Sequence, residues 1–142
     1  MSLNQHYDLA IIGAGPAGMA AAVEASKNNL RVLVLDDQPA IGGQVYRQID
    51  KNYHNSDELF FLGEDYWLGK KLVDDFGHSS AELLLESRVW QITRDKHIFF
   101  SRKGSAHQVQ ADFILISTGA MERPMPIPGW TLPGVMSVGG AQ

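Results

Sequence analysis

The stretch from Asp8 to Asp36 constrains the fold more than any other part of the chain. Leu9 to Ile12 is a short apolar run of the kind a buried parallel strand needs, and it stops at Gly13. Gly13, Gly15 and Gly18 follow at GxGxxG spacing, and an alanine-rich stretch with helical character comes next. Val32 to Leu35 is a second apolar run, and it ends in Asp36. Strand, glycine turn, helix, strand and acid thus fall within about thirty residues, the length of one such βαβ unit.

Each part of that unit has a physical task in holding a dinucleotide. Gly13 permits a sharp turn out of the strand. Gly15 has no Cβ, so a pyrophosphate can come close to the backbone, and Gly18 lets the helix pack tightly on the sheet. N–H groups at the helix start, around Gly15 to Ala17, point at the phosphates, and the helix dipole favours their charge. Pro16 suits a first helical turn, where its missing N–H costs nothing. Asp36 can accept hydrogen bonds from a ribose 2′-OH, which argues against a 2′-phosphate and hence against NADP. The acid does not separate NAD from FAD.

Composition removes several other classes. The 142 residues are enough for one domain with a real core. A net charge of −4 with scattered cations gives no sign of a nucleic-acid partner. There is no cysteine, which rules out a disulfide framework, an iron–sulfur cluster and thiol chemistry within these residues. The five histidines show no ligand spacing, so no metal site is expected. No apolar run has the length of a membrane span and no signal peptide is visible, so a cytoplasmic location is the default expectation.

After Asp36 the pattern departs from a plain NAD-type half, which would go promptly into another helix and a third parallel strand. Residues 37 to 64 instead carry Pro39, Gly42, Gly43 and the polar run Asp50 to Ser56, and read as a long loop. Tyr66 to Phe76 reads as an amphipathic scaffold helix with Leu68, Leu72, Val73 and Phe76 on one face, Asp65 as N-cap and Gly77 as stop. A small β-meander is expected from Glu82 to Glu86, Arg88 to Thr93, His97 to Ser101 and His107 to Gln110. Trp90 is read as packing on its own sheet. Phe113 to Ile116 reads as a third buried parallel strand, ending in the small residues Ser117 to Ala120. Ligands bind at the carboxyl ends of such strands, so the ends after Ile12, Leu35 and Ile116 should form one crevice. The prolines at 124, 126, 128 and 133 predict an extended connection, and Gly139-Gly140 a hinge leading elsewhere.

These residues resemble a known family. GAGPAG at 13 to 18, Asp36, Gly42-Gly43-Gln44, a helix, a meander and then STGA at 117 to 120 resemble the FAD-binding part of the two-dinucleotide-domain, pyridine nucleotide-disulfide oxidoreductase-like flavoproteins. The resemblance covers essentially the whole chain. More finely, IGGQVYRQI and TGAMERPMPIPGWTLPGVMSVGGAQ look like the FAD subunit of opine oxidases, hydrogen cyanide synthase and related heteromeric amine or imino-acid dehydrogenases. Glutathione-type reductases carry a cysteine pair just after the paired glycines; Gln44, Val45 and Tyr46 stand here instead, so a thiol relay is not supported.

The resemblance implies an α/β, Rossmann-like FAD domain with a parallel sheet, only part of which is present. Residues 1–120 would be its first part, and 121–142 a connection toward a nucleotide-binding domain, through which NAD(P) could act. Gly13, Gly15 and Ala17 would face the pyrophosphate, and Asp36 would hold the adenosine ribose. Gly43 and Gln44 would lie near the ribityl chain, Val89 would meet the adenine through its backbone, and Thr118 and Gly119 would line the site. Gln44 and Val89 rest on the resemblance alone. The implied activity is FAD-dependent oxidation of a C–N bond in an opine, amine or imino acid, together with other subunits. Alternatives are an NAD(P)H-dependent reductase of the ferredoxin- or thioredoxin-reductase type and a non-enzymatic nucleotide-binding module. No side chain qualifies as a general base, and no catalytic residue is assigned. An incomplete sheet predicts self-association of the chain.

Overall fold

A computed structural model describes residues 6–49, 64–121 and 126–137. Its elements are β1 (His6–Ile12), α1 (Pro16–Lys27), β2 (Val32–Leu35), α2 (Glu64–Gly77), β3 (Glu82–Leu84), β4 (Ser87–Ile92), β5 (His97–Arg102) and β6 (Ser105–Ile116). The strands form one mixed sheet in the order β3-β2-β1-β6-β5-β4. β3, β2, β1 and the second half of β6 run parallel, while the first half of β6 pairs antiparallel with β5, and β5 with β4. The α/β class and the Rossmann-like parallel core expected from the sequence are therefore what the chain adopts.

The two faces of the sheet are covered differently. On one, Ile11 and Val34 meet Met19, Ala22 and Ala25 of α1 and Phe76 of α2. Small residues let α1 lie close, and Gly18 takes this furthest: a Cβ there would fall 1.9 Å from the Gly13 carbonyl oxygen. On the other, Ala10, Leu33, Leu35 and Leu84 meet Ile98 and Phe100 of β5. The antiparallel strands thus bend back over the parallel half. Trp90 lies against Phe99 of the neighbouring strand, 5.5 Å between ring centroids, as expected of a Trp on its own sheet. Lys103 and Gly104, both with positive φ, form the two-residue turn between β5 and β6, the geometry a tight hairpin requires.

Four expectations need correction. Glu82–Leu84 does not belong to the meander. It pairs parallel with β2, Leu33 opposite Glu82 and Leu35 opposite Leu84, so a helix, α2, and a third parallel strand do follow Asp36 in the chain. Three residues are too few to reveal their partner in sequence. Second, Phe113 to Ile116 is the end of a single twelve-residue β6 rather than a separate buried strand. Phe113 is 71% exposed and Ile116 65%, because β5 stops pairing at Gln110 and no described element covers the strand beyond that point.

Third, α2 begins at Glu64, so Asp65 lies inside the helix rather than capping it, and Leu68 is exposed although Phe76 is buried. Fourth, residues 126–137 are not extended. Trp130 donates to Ile127 O, Leu132 to Gly129 O and Val135 to Leu132 O, a succession of turns that Gly129 and Gly134 permit. The polar run Asp50 to Ser56 and the glycines at 139 and 140 lie outside the described residues. No described helix is long and apolar enough to cross a membrane.

Candidate functional site

An open crevice of about 840 Å³ lies at the carboxyl ends of β1, β2 and β6. Gly13, Gly15, Pro16, Ala17, Asp36, Gly43, Gln44, Val89, Thr118 and Gly119 all line it. The strand ends after Ile12, Leu35 and Ile116 therefore do form one crevice, and the fold brings together all ten residues singled out in the sequence.

Backbone hydrogen bonds lock the three ends to one another. Gly13 N–H donates to Leu35 O and Ser117 N–H to Ile12 O, each at 2.8 Å. The Ser117 hydroxyl lies 3.1 Å from Ile12 O and 3.0 Å from Gly13 O. Gly13 has φ +110°, and a Cβ there would stand 2.4 Å from Ser117 O, so only glycine fits this turn. Gly15 is the N-cap of α1 with extended backbone, and Pro16 is the first helical residue. The opening N–H groups of a helix have no intrahelical partner, which leaves those of Ala17 and Gly18 to face an anion.

The turn has room for such a ligand. Among the described residues, a Cβ on Gly15 would have Gly43 Cα, at 3.9 Å, as its only neighbour within 4 Å. The Asp36 carboxylate already accepts from Ala14 N–H at 2.5 Å and from Gln38 N–H at 2.8 Å, one bond to each oxygen. Each oxygen has a second lone pair, so two acceptor positions remain for vicinal hydroxyls. A pyrophosphate at a helix N-terminus and a ribose on the acid thus fit the residues present.

The facing wall is the segment from Asp37 to Gln48, joined to the turn where Gly42 N–H donates to Ala14 O at 2.9 Å. Ser87 N–H donates to Asp36 O at 2.8 Å, which brings the start of β4 and hence Arg88 and Val89 to the same crevice. Register slips between Val89 and Gln91, a bulge that re-aims this strand beside the site.

Sequence reasoning missed four contributors. Ala14 supplies the N–H that fixes Asp36, and Ser117 clips the strand ends; neither residue type signals that role. Arg47 and Arg88 place two cations on the crevice wall. Their scatter in the sequence, forty-one positions apart (88 − 47), concealed that they share one rim.

Similarity to known proteins agrees with this geometry. The model of the family described as pyridine nucleotide-disulphide oxidoreductase matches residues 7–139. An opine oxidase subunit of Agrobacterium tumefaciens (strain Ach5) is 49% identical across 99% of the chain, which spans 29% of that protein. Hydrogen cyanide synthase subunit HcnB of Pseudomonas aeruginosa is 36% identical across 93% of the chain and 28% of its own length. The chain therefore spans less than a third of the curated relatives it matches. Among solved structures, L-proline dehydrogenase from P. horikoshii superposes with a TM-score of 0.64 at 23% identity, over 84% of this chain and 24% of that one. Thioredoxin reductase from Streptococcus pyogenes MGAS5005 does so with a TM-score of 0.61 at 29% identity, over 89% and 40%. With the match running through nearly every residue from the first strand to the last turns, the chain belongs to the pyridine nucleotide-disulphide oxidoreductase family.

Proposed function

We propose that this chain is the first part of the FAD domain of an oxidoreductase subunit that oxidises a C–N bond in an opine, amine or imino acid. Residues 1–120 make up that part, and 121–142 lead toward a nucleotide-binding domain. One observation carries the reading: the Asp36 carboxylate, the Gly15 turn and the Gly43 wall face a single crevice in a chain 49% identical to an opine oxidase subunit. The N–H groups of Ala17 and Gly18 bind the pyrophosphate. Asp36 holds the adenosine ribose, and the Val89 backbone meets the adenine. Gly43 and Gln44 run beside the ribityl chain, with Thr118 and Gly119 closing the end of β6.

Bound FAD supplies the hydride acceptor, and the protein supplies position and electrostatics. Arg47 and Arg88 add positive charge along the rim, favourable to a cofactor that carries two phosphates. The subunit works with others, as the relatives' names suggest for opine oxidase and hydrogen cyanide synthase. A reductase of the thioredoxin-reductase type, drawing on NAD(P)H, is the second reading and is favoured by the 29% identity to that enzyme. Val45 and Tyr46, standing after the paired glycines, speak against a thiol relay at that position in either case.

The test is an absorption spectrum of the purified protein followed by FAD titration. Oxidised-flavin bands and saturable binding are expected, with dye-linked oxidation of an opine or amine by the assembled enzyme. Binding of adenine nucleotide without flavin would leave a nucleotide-binding module as the function.

A further inference from the structure

A glycine inside a helix is unfavourable relative to alanine and needs a reason. Gly69 lies within α2, is buried, and has its reason in space: a Cβ there would fall 2.6 Å from Cγ and Cδ1 of Tyr46. The Tyr46 ring therefore sits in a notch on the helix. One turn back on the same helix, Tyr66 meets Tyr46 edge to face, 6.4 Å between centroids and 76° between planes. The Tyr66 hydroxyl reaches on and donates to the Arg47 carbonyl at 2.6 Å.

The segment held this way is under backbone strain. Gly42, Gly43 and Gln48 have φ of +108°, +61° and +55°. Gln48 is the costly one, because a side chain disfavours the left-handed region. Gly43, Gln44, Arg47 and Gln48 line the crevice, whereas Tyr46 and Tyr66 do not. Two rings outside the site thus fasten the wall inside it.

We propose that Tyr46 and Tyr66, seated on the Gly69 notch, are positioning residues that hold the 42–48 wall against the Gly15 turn and thereby set cofactor affinity. The proposal rests on the reading that the crevice takes FAD. It makes the packing of α2, otherwise plain scaffold, a determinant of binding. The part of Tyr46 that matters is its ring; the part of Tyr66 that matters is its hydroxyl.

The experiment uses the intact protein and two readouts. Trypsin cleavage after Arg47 in the apoprotein reports on the wall, with cleavage at Arg102 and Lys103 in the distant hairpin as internal control. FAD titration reports affinity. Tyr66→Phe is expected to speed cleavage after Arg47 and to raise the FAD Kd, each about fivefold, the worth of one hydrogen bond. Gly69→Ala should do both more strongly, and Tyr46→Phe should leave both at wild-type values while Tyr46→Leu does not. Unchanged cleavage after Arg47 in Tyr66→Phe and Gly69→Ala overturns the clamp. Faster cleavage with an unchanged FAD Kd overturns its role in affinity. A wild type that binds no FAD removes the cofactor reading instead, and cleavage then judges the clamp alone.

Discussion

A Cβ built on Gly43 would stand 3.0 Å from the Cα of Gly15. Two glycines from segments more than twenty residues apart in sequence thus face each other in the lining of the crevice. The relationship is not symmetrical. Gly43 has φ +61° and is crowded, while Gly15 has extended backbone and open space beside its missing Cβ.

That asymmetry separates a structural glycine from a ligand-facing one. Gly15→Ala should cost at most about 1 kcal/mol of stability, since alanine is only a poorer N-cap. FAD affinity in the same variant should fall at least tenfold, about 1.4 kcal/mol, because the new methyl occupies the pyrophosphate's approach. Gly43→Ala should lose about 1–2 kcal/mol of stability from its left-handed φ alone. Urea unfolding and flavin titration on both variants check this. Equal flavin affinity in Gly15→Ala and wild type would move the phosphate away from this turn.

Asp36 carries a second duty that alters what its removal should do. Its carboxylate ties the Gly13–Gly15 turn, through Ala14 N–H, to the loop at Gln38. Asp36→Ala should therefore weaken FAD by about 1–3 kcal/mol and also lower the apoprotein's melting temperature, because two backbone donors lose a charged acceptor. A variant with reduced affinity and unaltered apoprotein stability would show that the two intramolecular bonds carry no energy.

A pH dependence arises at the start of β2. Arg31 donates to Asp8 from its backbone N–H at 2.6 Å and from its guanidinium at 3.1 Å. The Arg31 side chain, then its backbone N–H, holds the Asp8 carboxyl below the usual value. A carboxyl lowered in the folded state stabilises fully above its unfolded pKa and loses that contribution as pH falls through the folded value. The difference in urea midpoint between wild type and Asp8→Asn should thus be largest near neutrality and shrink below about pH 4, the ordinary Asp value. A gap that is constant with pH would mean that the pair is electrostatically silent.

Much of this was legible in the sequence because it is local. The βαβ unit from Asp8 to Asp36 announces itself by spacing: Gly13 must take φ +110°, Gly18 must let backbones touch, and no other residue does either. The site residues on the turn and at Asp36 follow from that unit. The hidden features depend on distant partners. Glu82–Leu84 becomes a parallel strand only because β2 has an edge to fill, and three residues carry no period that says so. The exposure of Phe113 and Ile116 is set by where β5 begins, at His97, whose partner on β6 is Gln110. Ala14 and Tyr66 act through a backbone N–H and a hydroxyl whose targets, Asp36 and Arg47, are distant in sequence.

The end of β6 is uncovered among the described residues. Phe113 and Ile116 are exposed, Leu115 is partly so, and beyond Ala111 the strand has a described neighbour, β1, on one side alone. An apolar strand edge with unpaired backbone invites another chain, and a contiguous apolar patch invites burial. These 142 residues expressed by themselves are therefore expected to self-associate, to hold FAD weakly and to show no turnover. Phe113 is the residue to change, since it does not line the crevice. Lys96 lies 5.5 Å from its ring centroid, so an acid at 113 would find a cation nearby. Phe113→Glu should reduce association without altering FAD affinity, measured by light scattering and flavin titration on the same samples. Association that is unchanged in this variant would place the contact elsewhere, and a monomeric wild-type chain that binds FAD tightly and oxidises an opine would show that the end of β6 needs no further cover.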